Sequence, residues 1–423
     1  MSIPLDRLYH YIEHIAKEIC GNTLLIYRFY PHGSKKLENL KLINPCSWQD
    51  TNLMPVIHCN DQEQLDFDYY DNYNSSNSDV WSNILRSISF RYCKLNLRRT
   101  LMYDKVLLIH SELRSSNLEK YQQTQWLTIY YWSHALLALD WFRYANHVCI
   151  KKHPAKKFLI YNRAWSGTRE YRLKFADLLI DYGLVDECQT SIGFWDQDIY
   201  YKNYAFANAR LQSHHNLEKY FKVNNTPSTS SADFSLEDYA NTKIEIVLET
   251  LFDDDRLHLT EKSLRPIACG QPFILAATHG SLEYLRSYGF RTFAGIIDET
   301  YDTINDPVKR LLAITQVMKQ ISNWTADEMH TNTLELQKIA DYNKQHFFSA
   351  EFYNQVVSEL KTNLTAAFTK YESTKNCGQF INFWDHLLSH KSVTEFLEVN
   401  DNDVYPTKIQ LDTVYLEAKK YIK

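Results

Sequence analysis

The sequence predicts an α/β protein with parallel sheets in two domains, and three observations predict it. The chain has 423 residues, 44% of them hydrophobic, enough for two domains of about 150–200 residues and the cleft they leave. Short apolar runs that stop abruptly in polar residues alternate with amphipathic helical patterns, as buried parallel strands alternate with crossover helices. Four of the ten glycines fall between Gly270 and Gly295, so unusual backbone is concentrated in one place.

Residues 1–21 read as an amphipathic helix, with Leu8, Ile12, Ile15 and Ile19 at helical spacing. Acids and bases interrupt that segment, so no signal peptide is expected. No apolar run elsewhere reaches the roughly 18 residues of a membrane span, and a soluble protein without membrane contact is expected. Thr23 to Tyr30 reads as a strand and Asp61 to Asp79 as an exposed polar loop. In DKVLLIHSEL the run Val106 to Ile109 reads as a buried strand that delivers His110 and Glu112 to its carboxyl end, where α/β sheets bind ligands. Tyr130 to Ala145 reads as a helix, with Trp132, Leu136, Leu139 and Phe142 as core packing. HPAKK at His153 to Lys157 breaks this pattern, and a domain boundary is placed at 155.

The second domain, expected over 156–305, begins with a strand at Phe158 to Tyr161, a loop at Asn162 to Thr168, and a helix at Arg169 to Tyr182 ended by Gly183. Asn224 to Ser235 is a polar connector, and Ile244 to Thr250 another buried strand. In LHLTEKSLRPIACGQPFILAATHGS, Thr260 is an N-cap that leaves Glu261 and Lys262 in the first turn, beside amides that attract anions. Pro266 leaves two possibilities, a kinked helix or one that begins nearer Leu264. A strand at Pro272 to Ala277 follows, then a loop that places His279 just before Ser281, read as the next N-cap. Asp306 and Pro307 start a helix, and 306–423 is expected as a helical extension.

A net charge of -5 gives no global basic field, so a polyanionic partner needs a local patch. Eight cysteines without a CxxC pair point to reduced, buried thiols and a cytoplasmic protein, with neither a zinc site nor a disulfide framework.

IVLET followed by LTEKSLRPIACGQPFILAA resembles the signature of the α1,3-fucosyltransferases: a strand ending in Glu, a Thr-Glu-Lys helix start, an Ala-Gly helix end and a Pro-containing strand. FLIYNRAWSGTREYRLKFADLL resembles that family's preceding segment, and Ser281 to Asp302 is similar to glycosyltransferase-like proteins of tailed phages. The resemblance covers about Lys156 to Phe290. It implies a GT-B fold, two Rossmann-like domains facing across a cleft, with the donor held by the C-terminal one. It also implies transfer of a sugar from a nucleotide-diphosphate sugar to an acceptor hydroxyl, inverting and without a metal or other cofactor. Carried over residue by residue, it places Glu261 near the ribose, Lys262 and Arg169 on the diphosphate, and Glu249 in support of the nucleotide sugar. Arg163 is a further phosphate candidate by position, and Glu112, then His110, the candidate base on the acceptor side. The family has a Gly-Pro type of loop where this chain has ATHGS, which places His279 and Ser281 toward the diphosphate or sugar. The signature meets nucleotide and phosphates, so it carries no sugar identity.

Three other readings stand beside this one. The pairs Asp253-x-Asp255 and Asp196-x-Asp198 have the spacing that holds a divalent metal on a sugar nucleotide in the other large glycosyltransferase architecture. The basic clusters Arg91 to Arg99 and Lys151 to Lys157, with the phage resemblance, fit a glycosyltransferase acting on hydroxymethylated bases of DNA. A non-catalytic binding protein would keep the fold alone. The acceptor is therefore a glycan, a protein or modified DNA.

Overall fold

The structure, a computed structural model, describes residues 106–122, 126–222 and 234–374, together with residues 12, 14–16, 18–19, 25–28, 41–43, 56–60 and 65. The basic cluster at 91–99, the polar connector at 224–233 and the extension beyond 374 lie outside the described residues. The chain forms two compact units: an amino-terminal unit of Pro4–Ser133 with Val357–Lys423, and a central unit of Met1–Ile3 with His134–Val356. These limits differ from the expected ones at 155 and 306. Two of the three C-terminal helices belong wholly to the central unit.

The amino-terminal unit holds a sheet of five strands: β1 (Leu25–Arg28), β2 (Lys41–Ile43), β3 (Val56–Asn60), β4 (Val106–His110) and β5 (Trp126–Tyr130), in the order β2-β1-β3-β4-β5. β2 is antiparallel to β1, and the other pairs are parallel. Leu107, Leu108 and Ile109 are all buried, as the apolar run required. The described residues among 12–19 are helical, with Ile12 and Ile15 buried. Helix α1 (Ser116–Gln122) joins β4 to β5.

Tyr130 is the last residue of β5, paired with His110, and not the start of a helix. WLTIY is rich in aromatic and β-branched residues, and the edge of β4 gives it a partner. Helix α2 (Ser133–Trp141) begins only after it. Trp132 and Phe142 are core residues as expected, but Leu136 and Leu139 are half-exposed, and Ala135, Leu137 and Ala138 take the inside of the helix.

The central unit is built on β6 (Lys156–Asn162), helix α3 (Tyr171–Asp181), β7 (Cys188–Ile192), a hairpin of β8 (Trp195–Asp196) and β9 (Ile199–Tyr200), helix α4 (Leu236–Asn241), β10 (Thr242–Leu248), helix α5 (Glu261–Cys269), β11 (Phe273–Ala276) and helix α6 (Ser281–Ser287). Its sheet has the order β11-β10-β6-β7, parallel throughout. The chain passes from β6 to β7 on one side, then returns to β10 on the other, so strand order reverses between β6 and β10. Carboxyl ends at such a reversal open a crevice for ligands.

Local signals placed several boundaries correctly. Gly183 and Gly270 end α3 and α5 in the left-handed region, at φ 61° and 67°. Helix α5 starts at Glu261 with Thr260 as its cap and runs continuously through Pro266, which closes the alternative start near Leu264. Asp306 caps helix α7 (Pro307–Ser322), whose partners are α8 (Ala326–Phe347) and α9 (Ala350–Thr374). Phe290, His346, Phe347 and Phe352 form an aromatic cluster that packs α8 and the first turn of α9 in the central unit.

Candidate functional site

The centre of the site is Glu249, the residue after β10, which is fully buried. Its Oε1 accepts hydrogen bonds from the Thr260 amide (3.0 Å) and from the amide and hydroxyl of Ser263 (3.2 and 2.6 Å). Its Oε2 accepts from the Thr260 hydroxyl (2.8 Å) and the Thr250 amide (2.9 Å). The carboxylate thus supplies the anion that the positive end of α5 attracts. Glu249 positions the turn that follows it rather than meeting a ligand itself.

That turn carries Glu261 and Lys262. Lys262 Nζ donates to Glu261 Oε1 (2.8 Å) and to Thr260 Oγ1 (3.2 Å). On its other side Glu261 Oε2 lies 3.7 Å from His134 Nε2, a contact that sequence reasoning missed because His134 stands in an aromatic helical run. Burial pushes the His134 pKa down to about 4 against the opposing charge of Glu261, so the imidazole is neutral near pH 7. Its Nδ1 is buried without a protein hydrogen-bond partner, and its ring meets that of His258 edge-on at 5.0 Å.

The loop after β6 brings Arg163 and Arg169 to the same edge of the sheet. Arg163 lies over the Tyr161 ring at 4.8 Å, and Arg169 Nε donates to the Ser166 carbonyl at 3.4 Å. The loop is held by Asp196, whose Oδ2 accepts from the amides of Trp165 (2.8 Å) and Ser166 (2.7 Å). Burial opposes ionisation of Asp196, yet those bonds hold its pKa below the usual carboxylate range. A Cβ at Gly193 would stand 3.0 Å from the Arg163 carbonyl, so glycine lets the two segments cross closely.

Arg172 is the second residue missed. It is buried, and its guanidinium donates to the carbonyls of Ala164 (2.6 Å), Leu248 (2.5 Å) and Glu249 (3.1 Å), joining the loop after β6 to the end of β10 across the reversal. Its signal was present: Arg172, Phe175, Ala176 and Leu179 share the buried stripe of α3. Tyr171 adds a bond from its hydroxyl to the Glu249 carbonyl (2.8 Å) and stacks on Phe252.

Ser281 does not cap α6. Gly280 does, at φ 79°, and Ser281 is the first helical residue, its hydroxyl donating to the Thr278 carbonyl at 2.6 Å. The Ser281 and Leu282 amides donate to the two carboxylate oxygens of Asp302 at 3.1 and 3.0 Å. This helix start already holds an anion from its own chain, so the diphosphate contact expected of Ser281 has no amide to use. Burial raises the Asp302 pKa to about 6 in spite of those bonds. His279 stands beside this turn with Nε2 3.7 Å from the exposed Asp255.

In the other acidic pair Asp253 accepts from the Asn208 side chain at 2.7 Å and the exposed Asp255 lies 3.7 Å from His279, while Asp254 between them pairs with Arg256 at 2.6 Å. Among the described residues no three His, Cys, Asp or Glu side chains converge as metal ligands do. In the basic cluster at 151–157, Lys152 donates to the carbonyls of Tyr239 and Thr242 and to Gln271, Lys156 to the Asp186 carbonyl, and Lys157 to Glu187 and the Ser322 carbonyl. Three lysines expected to meet phosphates are ties within the unit.

In the amino-terminal unit Glu112 has 0% exposure, and its Oε2 accepts from the Leu65 amide at 3.2 Å. The Glu112 amide donates to His110 Nδ1 at 3.3 Å, so in the neutral ring the proton resides on Nε2. His110 then presents a donor and not the lone pair of a base, and the Glu112 carboxylate is sealed from an acceptor hydroxyl.

Among the described residues no helix is long and apolar enough to cross a membrane. No protein-family model, curated protein or solved structure matches the chain.

Proposed function

We propose that this protein is a glycosyltransferase that takes a nucleotide-diphosphate sugar at the strand reversal of its central unit and transfers the sugar to an acceptor hydroxyl. The observation that carries the reading is the grip of buried Glu249 on the Thr260–Ser263 turn, which sets Glu261 and Lys262 at the carboxyl edge that also receives the Arg163–Arg169 loop. Ligands of parallel α/β sheets collect at this edge.

In this reading Lys262 and Arg169, with Arg163 beside them, carry the charge that develops on the departing diphosphate, and Glu261 accepts from the ribose hydroxyls. His134, neutral near pH 7, stands 3.7 Å from Glu261 and adds no second cation beside it. Fixed side-chain cations do the work that a divalent metal does elsewhere, and displacement is in-line with inversion at the anomeric carbon. The finer fold assignment that follows is GT-B, with the amino-terminal unit on the acceptor side. The proposed acceptor is a glycan, a protein or hydroxymethylated DNA.

Thermal-shift screening of uridine, guanosine, thymidine and cytidine nucleotide sugars tests the reading. At least one is expected to raise the Tm, and then to be hydrolysed or transferred when glycan, protein and modified-DNA acceptors are supplied. Absence of binding by every nucleotide sugar defeats it. Binding without hydrolysis or transfer identifies a non-catalytic binding protein instead.

A further inference from the structure

The loop after β6 spends its amides on side chains. Trp165 and Ser166 both donate to Asp196 Oδ2, at 2.8 and 2.7 Å, and Gly167 donates to the Tyr204 hydroxyl at 2.9 Å. Two successive amides that converge on one oxygen form a cradle for an oxyanion. The Ser166 hydroxyl, on a residue only 4% exposed, completes no hydrogen bond of its own, yet it stands close enough to the carboxylate to help hold its charge. Burial opposes that charge, and the two amides, this hydroxyl and the Arg169 guanidinium favour it. The cradle therefore offers one more donor than the carboxylate uses, and a phosphate, with more acceptor oxygens, can take it.

The carboxylate is delivered by a weakly built element. Hairpin β8–β9 has two residues in each strand, and both residues of its turn, Gln197 at φ 48° and Asp198 at φ 62°, are left-handed without being glycine. Trp195 is 66% and Ile199 37% exposed, so little apolar surface holds the tip. Its base is different: Phe194 and Tyr201 are buried, and the Tyr201 amide donates to the Phe194 carbonyl at 2.9 Å. A tip with little core packing on a buried base can swing while the sheet stays fixed.

We propose that the Trp165–Ser166 cradle is a phosphate site held shut by Asp196: a phosphate of the ligand takes the two amides and the Ser166 hydroxyl, and the hairpin that carries Asp196 lifts away. The latch rests on the reading of this edge as the seat of a nucleoside diphosphate. Ligand affinity is then reduced in proportion to the fraction of molecules in which the cradle is open.

Isothermal titration of the full chain with inorganic pyrophosphate tests the latch. Asp196→Asn removes the competing charge at nearly the same size, and should bind pyrophosphate about tenfold or more tightly than the native chain. Asp198→Asn, which removes the same charge from the exposed turn beside it, should stay within about twofold of native. In the native protein, saturating pyrophosphate should speed hydrogen exchange across 195–200, a readout that stands even if Asp196→Asn fails to fold. The latch is overturned if Asp196→Asn binds pyrophosphate no more tightly than native, if Asp198→Asn gains as much, or if exchange in the hairpin is unchanged or slowed. A nucleotide sugar that binds native protein and Asp196→Asn alike sinks the latch and leaves the transferase reading standing. Failure of pyrophosphate and of every nucleotide sugar to bind either chain sinks both.

Discussion

Glu249 accepts hydrogen bonds from both the amide and the hydroxyl of Ser263, at 3.2 and 2.6 Å, so the end of a buried strand and the first turn of the next helix act as one rigid piece. The turn that carries Glu261 and Lys262 is built out from that pair.

Glu249→Gln tests the rigidity. An amide side chain turns one acceptor into a donor among groups that all donate, at a cost of about 2–4 kcal/mol. Calorimetry should show a Tm lower by roughly 5–10 °C. A variant that melts with the native protein would mean that this carboxylate does not hold the helix start.

Lys262→Ala and Arg169→Ala address the ligand. Each should weaken a bound nucleoside diphosphate by about tenfold or more, the value of a charge-assisted contact; Arg169→Ala should change the Tm little, whereas Lys262→Ala also removes the ion pair to buried Glu261 and should lower it. Arg163→Ala should have the same sign. Unchanged diphosphate affinity in Lys262→Ala and Arg169→Ala would remove the phosphate role assigned to this edge.

Arg172 acts in the opposite sense. Arg172→Met leaves the carbonyls of Ala164, Leu248 and Glu249 without their donor, and urea unfolding should show a loss of about 3–5 kcal/mol. Arg172→Lys restores the charge but not the forked geometry, and should recover only part of that loss. Full recovery by lysine would show that charge alone matters at the reversal.

Two buried groups give pH dependences of opposite sign. His134 falls from 6.5 to about 4 on folding, so the unfolded chain binds the proton first, and stability is lost as pH falls through that window. Asp302 rises from 3.8 to about 6, so the folded protein binds the proton first, and stability is gained as pH falls from about 6 toward 3.8. Each effect is on the order of 2–3 kcal/mol. Relative to the native protein, His134→Gln should therefore gain stability as pH falls from about 6.5 to 4, and Asp302→Asn should lose it. Urea titrations at about pH 4, 5.5 and 7 measure both, and difference profiles of the same sign would refute the assignment.

Local patterns carried much of the fold. Thr260 before Glu-Lys, Gly270 after Cys269 and Asp306 before Pro307 placed helix ends correctly, because capping is settled within three or four residues of chain. Val106 to Ile109 and the run from Ile244 declared themselves as strands because both faces of a parallel sheet exclude water, though the second ends at Leu248 and not at Thr250.

The roles of the site residues were decided at longer range. That Glu249 is a helix anchor depends on Ser263, that Asp196 is a loop clamp depends on Trp165 and Ser166, and that Ser281 has lost its amide to Asp302 depends on a segment beyond the helix itself. WLTIY became a strand only beside β4, and Arg172 became a pin only where β6 and β10 part. A carboxylate or guanidinium satisfies whichever donors or acceptors burial brings to it. Short-range patterns therefore locate the chemistry-bearing residues along the chain, and packing between distant segments settles which of them hold the strand ends and helix starts together.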